Sequence, residues 1–249
     1  MDYGIEGTVA LVTASSSGLG KGSAMALARE GVHVVVNGRD REKLAHAVAD
    51  IESVAKGDVI GRPGDITDPD DLTALVDDTV EEFGRLDHLV TSAGGPPRHS
   101  FFELTDEHWY DNFDMLVMSV VRLVREAAPY LRRDGGGSIV NITSLVVKEA
   151  SPSNPLSSSI RMATMGLEKC LSYQLAPEVR VNAVLPGLFD TPRRNDPGSA
   201  RVEPSDVPAG RLGEAIELGE VVAFLCSEAA GYLTGASIPV DGGALESTL

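Results

Sequence analysis

The stretch Val9-Ala10-Leu11-Val12-Thr13-Ala14-Ser15-Ser16-Ser17-Gly18-Leu19-Gly20 decides the fold. A short apolar run ends in a turn of small residues, and a segment of helical periodicity follows near Gly20–Glu30. Gly18 and Gly20 leave the turn without side chains, so an anionic group can approach the amides at the start of the next helix. Gly31 stands directly after that helix, where a left-handed C-terminal cap is expected.

The same alternation continues outward from this unit. Strand-like runs fall at Val9–Thr13, Val32–Asn37, Val59–Gly61, His88–Thr91, Ser138–Thr143, Arg180–Leu185 and Ser237–Val240. Helical stretches lie near Gly20–Glu30, Arg41–Val54, Pro69–Phe83, Asp106–Leu131, Leu156–Leu175 and Ala215–Cys226. Short apolar runs alternating with longer helices predict an α/β fold: a doubly wound parallel seven-stranded sheet with helices on both faces. Asp68-Pro69-Asp70-Asp71 opens one helix with carboxylates near its positive dipole end. The Pro-rich stretch Thr191–Pro208 holds few apolar residues and reads as a lid-like insertion, about 191–208, within a single domain spanning 1–249.

Composition narrows the function classes. The 249 residues carry 37 acidic against 21 basic side chains, a net charge of −16. Nucleic-acid binding needs a basic face, so that balance argues against it. An acidic, lysine-poor surface suits a high-salt cytoplasm, where charge repulsion is screened, and it equally suits an ordinary acidic protein. No apolar run reaches eighteen residues, and the start Met1-Asp2-Tyr3-Gly4 lacks a basic, then apolar, leader. The expectation is a cytoplasmic protein with no membrane contact. Cys170 and Cys226 both fall in helical patterns and read as reduced, buried thiols. No grouping of His, Cys, Asp and Glu has metal-ligand spacing, so no metal is expected.

Several further motifs match at fixed positions. They are Asp65 within Gly64-Asp65-Ile66-Thr67-Asp68, Ala93-Gly94 after the fourth strand, Val181-Asn182-Ala183-Val184-Leu185-Pro186-Gly187, and the tail from Thr234 to Gly243. Together with the glycine turn, they make the chain resemble the short-chain dehydrogenase/reductase (SDR) family from end to end. The resemblance implies a Rossmann-like fold and a dinucleotide held by Thr13, Ser15, Ser17, Gly18, Leu19, Gly20, Arg39, Asp65, Ile66, Ala93, Gly94, Arg161, Pro186, Gly187 and Thr191. It also implies a homotetramer or homodimer, because Asp106–Leu131 and Leu156–Leu175 correspond to helices that pair between subunits in the family. Two departures touch the nucleotide turn and its neighbour. Ala14 replaces a family Gly and fits only with negative φ, and Thr91-Ser92 replaces two Asn.

Cofactor choice rests on Asn37-Gly38-Arg39-Asp40 at the end of the second strand. An NAD site places a carboxylate there for the ribose hydroxyls. Here Gly38 holds that position and Arg39 follows, which favours a 2′-phosphate, hence NADP(H) over NAD(H). Asp40 stands close enough in sequence to compete for Arg39.

The reaction site departs furthest. In the resembled family a Ser and a Tyr hold the carbonyl, a Lys four residues after the Tyr lowers its pKa, and an Asn completes a proton relay. Ser144 matches the Ser. Ser157, Arg161 and Leu116 occupy the places of Tyr, Lys and Asn. Bringing a tyrosine from a pKa of ~10 to near 7 takes roughly 4 kcal/mol, which burial beside a cation supplies. A serine hydroxyl in the same surroundings is no equivalent acid, and an arginine does not relay a proton as a lysine does. Candidate catalytic residues are therefore Ser144, Ser157 and Arg161, with His99 in the loop Gly94–Ser100 as a substitute proton donor and Arg98 as a possible anion contact. Lys148 and Glu149, just after Ser144, are further candidates for the cleft wall; His46 and His108 read as surface residues.

The expected function is an NADP(H)-dependent oxidoreductase interconverting carbonyl and hydroxyl groups of a small molecule through an atypical site. A lyase or isomerase on this scaffold and a non-catalytic NADP(H)-binding module are the alternatives.

Overall fold

The computed structural model describes residues 3–133, 135–195 and 203–247. Strands β1 (Val9–Val12), β2 (His33–Gly38), β3 (Val59–Pro63), β4 (His88–Thr91), β5 (Gly137–Ile142), β6 (Val179–Pro186) and β9 (Ser237–Val240) form one seven-stranded sheet in the order β3-β2-β1-β4-β5-β6-β9. Every neighbouring pair in it is parallel. Between them run α1 (Gly18–Arg29), α2 (Arg41–Glu52), α3 (Pro69–Phe83), α4 (Asp106–Phe113), α5 (Ser119–Leu131), α6 (Pro155–Gln174) and α7 (Ala215–Cys226).

Period-two alternation sorts the strand side chains onto two faces. One row across the sheet, Val35, Leu11, Leu89, Ile139 and Val181, is in register and packs with Leu75 of α3 and Leu123 of α5. The next row, Val36, Val12, Val90 and Val140, packs on the opposite face with Leu27 of α1 and Leu218 of α7. A one-residue slip would exchange the two sets, so the register is strongly specified. Asn182 follows in this second row. Its amide donates to Leu233 O at 2.9 Å and its Oδ1 accepts from Ala236 N at 3.1 Å, which ties the last strand to β6.

The strand order reverses between β1 and β4, and the crevice beyond their C-terminal ends is where such folds bind ligands. α3 opens with carboxylates as the sequence predicts, Asp68 capping it by accepting from Asp70 N and Asp71 N, and Gly31 takes the expected left-handed φ of +86° after α1.

Three expectations need correction. The segment Asp106–Leu131 is not one regular helix: a π turn, Asp114–Met118, interrupts it between α4 and α5. Ala14 takes a left-handed backbone, φ +45°, rather than a negative φ. Cys170 is exposed on α6, and Cys226 alone is buried, its thiol pushed up to about 11 by burial. A two-stranded parallel pair, β7 (Phe189–Asp190) with β8 (Gly213–Glu214), brackets the proposed lid. Of that lid, residues 196–202 lie outside the described residues, and short 3-10 turns occupy Pro192–Asn195 and Pro204–Asp206.

Candidate active site

A cleft of about 630 Å³ opens at the C-terminal end of the sheet, and one continuous wall joins the glycine turn to Ser144, Ser157 and Arg161. Its nucleotide end begins where β1 turns into α1. Ala14 N donates to Asn37 Oδ1 at 3.1 Å, and Asn37 in turn donates to Arg62 O and Gly64 O. That clamp holds the left-handed Ala14 turn in place. Gly20 is required by contact: a Cβ there would lie 2.6 Å from Ala14 O. Gly18 has φ +56°, and its bare face sits under the Thr191 side chain. Such a cradle at a helix N-terminus fits a pyrophosphate.

Thr13 and Ser15 serve this turn from behind. The Thr13 hydroxyl donates to Ser92 O and accepts from Ser92 N, while Ser15 Oγ donates to Val12 O. Both are buried, and neither lines the cleft. Ser17, Gly18, Leu19, Gly20, Arg39, Asp65, Ile66, Ala93, Gly94, Pro186, Gly187 and Thr191 all do.

Arg39 does not pair with Asp40. Asp40 caps α2 by accepting from Glu42 N and Lys43 N, and Arg39 Nη1 lies 3.4 Å from Asp65 Oδ2. Burial works to raise the Asp65 pKa, but hydrogen bonds from Thr67 and the Arg39 charge outweigh it and hold the carboxyl below its ordinary value. A side chain at Gly38 would meet Ser16 at 2.8 Å, so Ser16 occupies the space an NAD-type carboxylate would need. Lys43, in the first turn of α2, lines the same end.

At the reaction end, Ser157 is buried and its N–H donates to Asn154 Oδ1, which caps α6. Ser144 Oγ accepts from Val146 N at 3.4 Å. Arg161, 8% exposed, donates from Nη1 to Ile142 O at 3.4 Å and from Nη2 to Gly94 O at 3.3 Å, while its Nε is buried without a partner. Burial, aided by the nearby Arg193 charge, lowers its pKa to about 10, still leaving it a cation at neutral pH. Two turns along α6, Glu168 is also buried, and burial raises its carboxyl to about 8 against the opposing pull of Asn141 and Arg161. Behind Arg161 is a space of about 10 Å³, about one water in size, bordered by Thr91, Ser119, Asn141 and Thr164.

Leu116 lies in the π turn and packs against Leu156 and Ile160; its carbonyl accepts from Thr164 Oγ1 at 3.1 Å. The relay position is thus filled by apolar packing. His99 is not brought to the site: it is exposed, its ring lies 5.5 Å from that of His108 at a 38° tilt, and it does not line the cleft. Lys148 and Glu149 do not line it either, and Glu149 accepts from Ser247 N. None of the five tyrosines, at 3, 110, 130, 173 and 232, lines the cleft. Sequence reasoning missed Ser16, Lys43, Arg193 and Glu168. The available signals were a lysine in the first turn of the helix after Arg39, the helical spacing of Glu168 at i+7 from Arg161, and a cation two residues after Thr191.

Among the described residues no grouping could hold a metal ion, and no helix is long and apolar enough to cross a membrane. Comparison with known proteins agrees with the geometry. A family model described as enoyl-(acyl carrier protein) reductase matches residues 13–244. An uncharacterized oxidoreductase of Methylorubrum extorquens is 36% identical over 245 residues, covering 96% of this chain and 98% of that protein. A 3-oxoacyl-[acyl-carrier-protein] reductase of Thermotoga maritima is 32% identical over 242 residues, covering 96% and 98%. The crystal structure of L-sorbose reductase from Gluconobacter frateurii, complexed with NADPH and L-sorbose, superposes with a TM-score of 0.92 at 32% identity over 99% of this chain and all of that one. On this agreement of sequence, sheet order and crevice, the chain belongs to the short-chain dehydrogenase/reductase family.

Proposed function

We propose that the protein is an NADP(H)-dependent oxidoreductase that interconverts a carbonyl and a hydroxyl on a small molecule, using an atypical active site. The observation that carries this reading is the single cleft, in which the glycine cradle, the Arg39–Lys43 end and the Ser144, Ser157 and Arg161 end are continuous. Related proteins point the same way: one is named a 3-oxoacyl reductase, and another is complexed with NADPH.

Gly18, Leu19 and Gly20 would hold the pyrophosphate, Arg39 with Ser16 and Lys43 the 2′-phosphate, and Thr191 with Pro186 and Gly187 the nicotinamide end. When bound, NADPH supplies two electrons and a hydrogen to the carbonyl carbon and leaves as NADP⁺, while one proton from solvent completes the hydroxyl. The Ser144 and Ser157 hydroxyls orient the carbonyl oxygen by donating to it. Arg161, a buried cation held by Ile142 O and Gly94 O, stabilises the charge that develops on that oxygen. Among the described residues no side chain of ordinary acidity stands beside Ser144 and Ser157 as donor, so water in the open cleft delivers the proton. The rate is then expected to be slow and to rise with hydronium concentration.

Titration of NADPH fluorescence, followed by an NADPH-oxidation screen over ketones, 3-oxo esters and sugars, tests the reading. Binding with turnover of at least one class supports it. Tight binding with silence across the panel would instead favour a cofactor-binding module, the reading that the missing tyrosine supports. We also propose that the chain self-associates through the faces of α4 and α6.

A further inference from the structure

Among the described residues four buried side-chain polar atoms lack a hydrogen-bond partner: Thr91 Oγ1, Asn141 Nδ2, Arg161 Nε and Glu168 Oε1. They come from β4, β5 and α6, yet they meet in one place. Thr91, Asn141 and Arg161 border the space of about 10 Å³ behind the cleft, and Glu168 is close enough for Asn141 and the Arg161 charge to act on its carboxyl. All four side chains are buried. Buried polar groups are ordinarily paired, so the gathering of these exceptions beside the Arg161 cation needs a cause.

The chemistry of the space supplies one. Its size suits a single water, which needs about two to four polar partners. Arg161 Nε–H and one Asn141 Nδ2–H can donate to that water, and the Thr91 hydroxyl can accept from it. Ser119 and Thr164 also border the space; their hydroxyls donate to Met115 O and Leu116 O and keep lone pairs to accept with. The second Asn141 Nδ2–H then faces Glu168, so one amide joins the carboxyl to the water and the guanidinium. Glu168 stands two turns after Arg161 on the same face of α6. The residues that border the space from the π turn and α5, Leu116, Ser119, Val120 and Leu123, do not ionise. The charges that bear on the pair are its own and that of Arg193, which acts on Arg161.

We propose that Glu168 is a positioning residue for Arg161: through the Asn141 amide and one buried water it fixes the guanidinium in the cleft wall. The ligand given to that guanidinium rests on the oxidoreductase reading; its positioning does not. The Arg161 bonds to Ile142 O and Gly94 O, at 3.4 and 3.3 Å, are long, so the inner contacts decide where the group rests. While the Glu168 carboxyl keeps its proton, which burial prolongs to about 8, it is a neutral partner and the cation stays turned to the cleft. Once ionised, it attracts Arg161 through a poorly screening interior and draws the guanidinium inward.

The test is a pH titration of protein carrying isotopically labelled arginine, with the Arg161 Nε–H resonance assigned through bonds from its own backbone. In the wild type that resonance is expected to exchange slowly with solvent and to shift with a midpoint near pH 8. In Glu168→Gln, equal in shape but unable to ionise, it should stay level. The Kd for NADPH, read by fluorescence, gives a second readout: across about pH 7 to 9 the wild type should weaken about 3- to 10-fold relative to Glu168→Gln. Thr91→Val alters the inner space and not the cleft; it removes the water's acceptor, and should speed exchange of the Arg161 Nε–H about tenfold without moving the midpoint. An Arg161 resonance that ignores pH in the wild type would overturn the proposal, as would an equal shift in Glu168→Gln or unchanged exchange in Thr91→Val. Absence of NADPH binding at every pH would sink the oxidoreductase reading instead, and the resonance would still decide the positioning.

Discussion

Ala14 bears a φ of +45°, a conformation that places an L side chain against its own carbonyl, and it holds there because Asn37 receives its N–H and the Gly20 backbone passes beneath its oxygen. Ala14→Gly removes that strain and loses part of the gain to a more flexible unfolded chain, so stability should rise by about 0.5–1 kcal/mol in urea titration. A fall would mean that the methyl group packs usefully. Glu168 makes a second prediction through pH. Its folded pKa of about 8 stands above the ordinary 4.5, so the folded chain keeps a proton that the unfolded chain releases. Its contribution is therefore fully present below the unfolded pKa and is lost as pH rises through the folded one, by at most about 1.4 kcal/mol for each pH unit crossed. His88, buried and held neutral with its pKa lowered to about 4, changes stability only at lower pH. Between about pH 6.5 and 8.5 the wild type should lose stability while Glu168→Gln, equal in shape but unable to ionise, stays nearly level. Parallel pH curves for the two proteins would show that the carboxyl is already ionised in the fold.

At the level of elements, α1 and α7 approach so closely that a Cβ on Gly219 would lie 2.2 Å from Gly22 O, and one on Gly22 would lie 2.3 Å from Ala215 O. Backbone meets backbone, and no side chain can give way. Gly219→Ala should therefore cost about 1–3 kcal/mol, despite alanine's better helix propensity, and lower the melting temperature by roughly 2–10 °C. This contact is invisible in the sequence, since helical periodicity does not show which glycine meets another helix's backbone. The strands, by contrast, were legible, because apolar runs such as Val32–Asn37 must be buried on both faces in a parallel sheet. The π turn at Asp114–Met118 was not, since a single extra residue leaves helical periodicity almost unchanged. For the site, glycine spacing disclosed the cradle because backbone approach demands glycine. Spacing alone did not disclose that Thr13 and Ser15 face the protein interior, or that His99 turns toward His108. Those depend on side-chain direction within turns, which no short pattern encodes.

Across the whole molecule, two surface properties oppose each other. Among the described residues and apart from Tyr232, the exposed large hydrophobic side chains are Phe101 and Phe102 in the turn before α4, Tyr110 and Phe113 on α4, and Met162 and Tyr173 on α6. An apolar set gathered on adjoining elements favours association, and symmetric pairing of such faces is the commonest route to a homo-oligomer. Against it stands a charge of −16 on each chain, which repels a second copy. Salt weakens the repulsion, whose range falls from about 10 Å at 0.1 M to about 3 Å at 1 M, and leaves the apolar gain in place. Exposed ion pairs such as Arg211–Glu217 are screened as well, but pairs of that kind contribute little. The assembly should therefore tighten as salt rises: sedimentation velocity is expected to show monomer gaining ground at low salt and dimer or tetramer dominating near 1 M. Tyr110→Glu adds a charge to the exposed apolar face of α4 without touching the core, and should shift the equilibrium toward monomer at every salt concentration while leaving NADPH binding unchanged. An assembly that loosens with salt would mean that ion pairs hold the copies together, and one indifferent to Tyr110→Glu would place the interface away from α4.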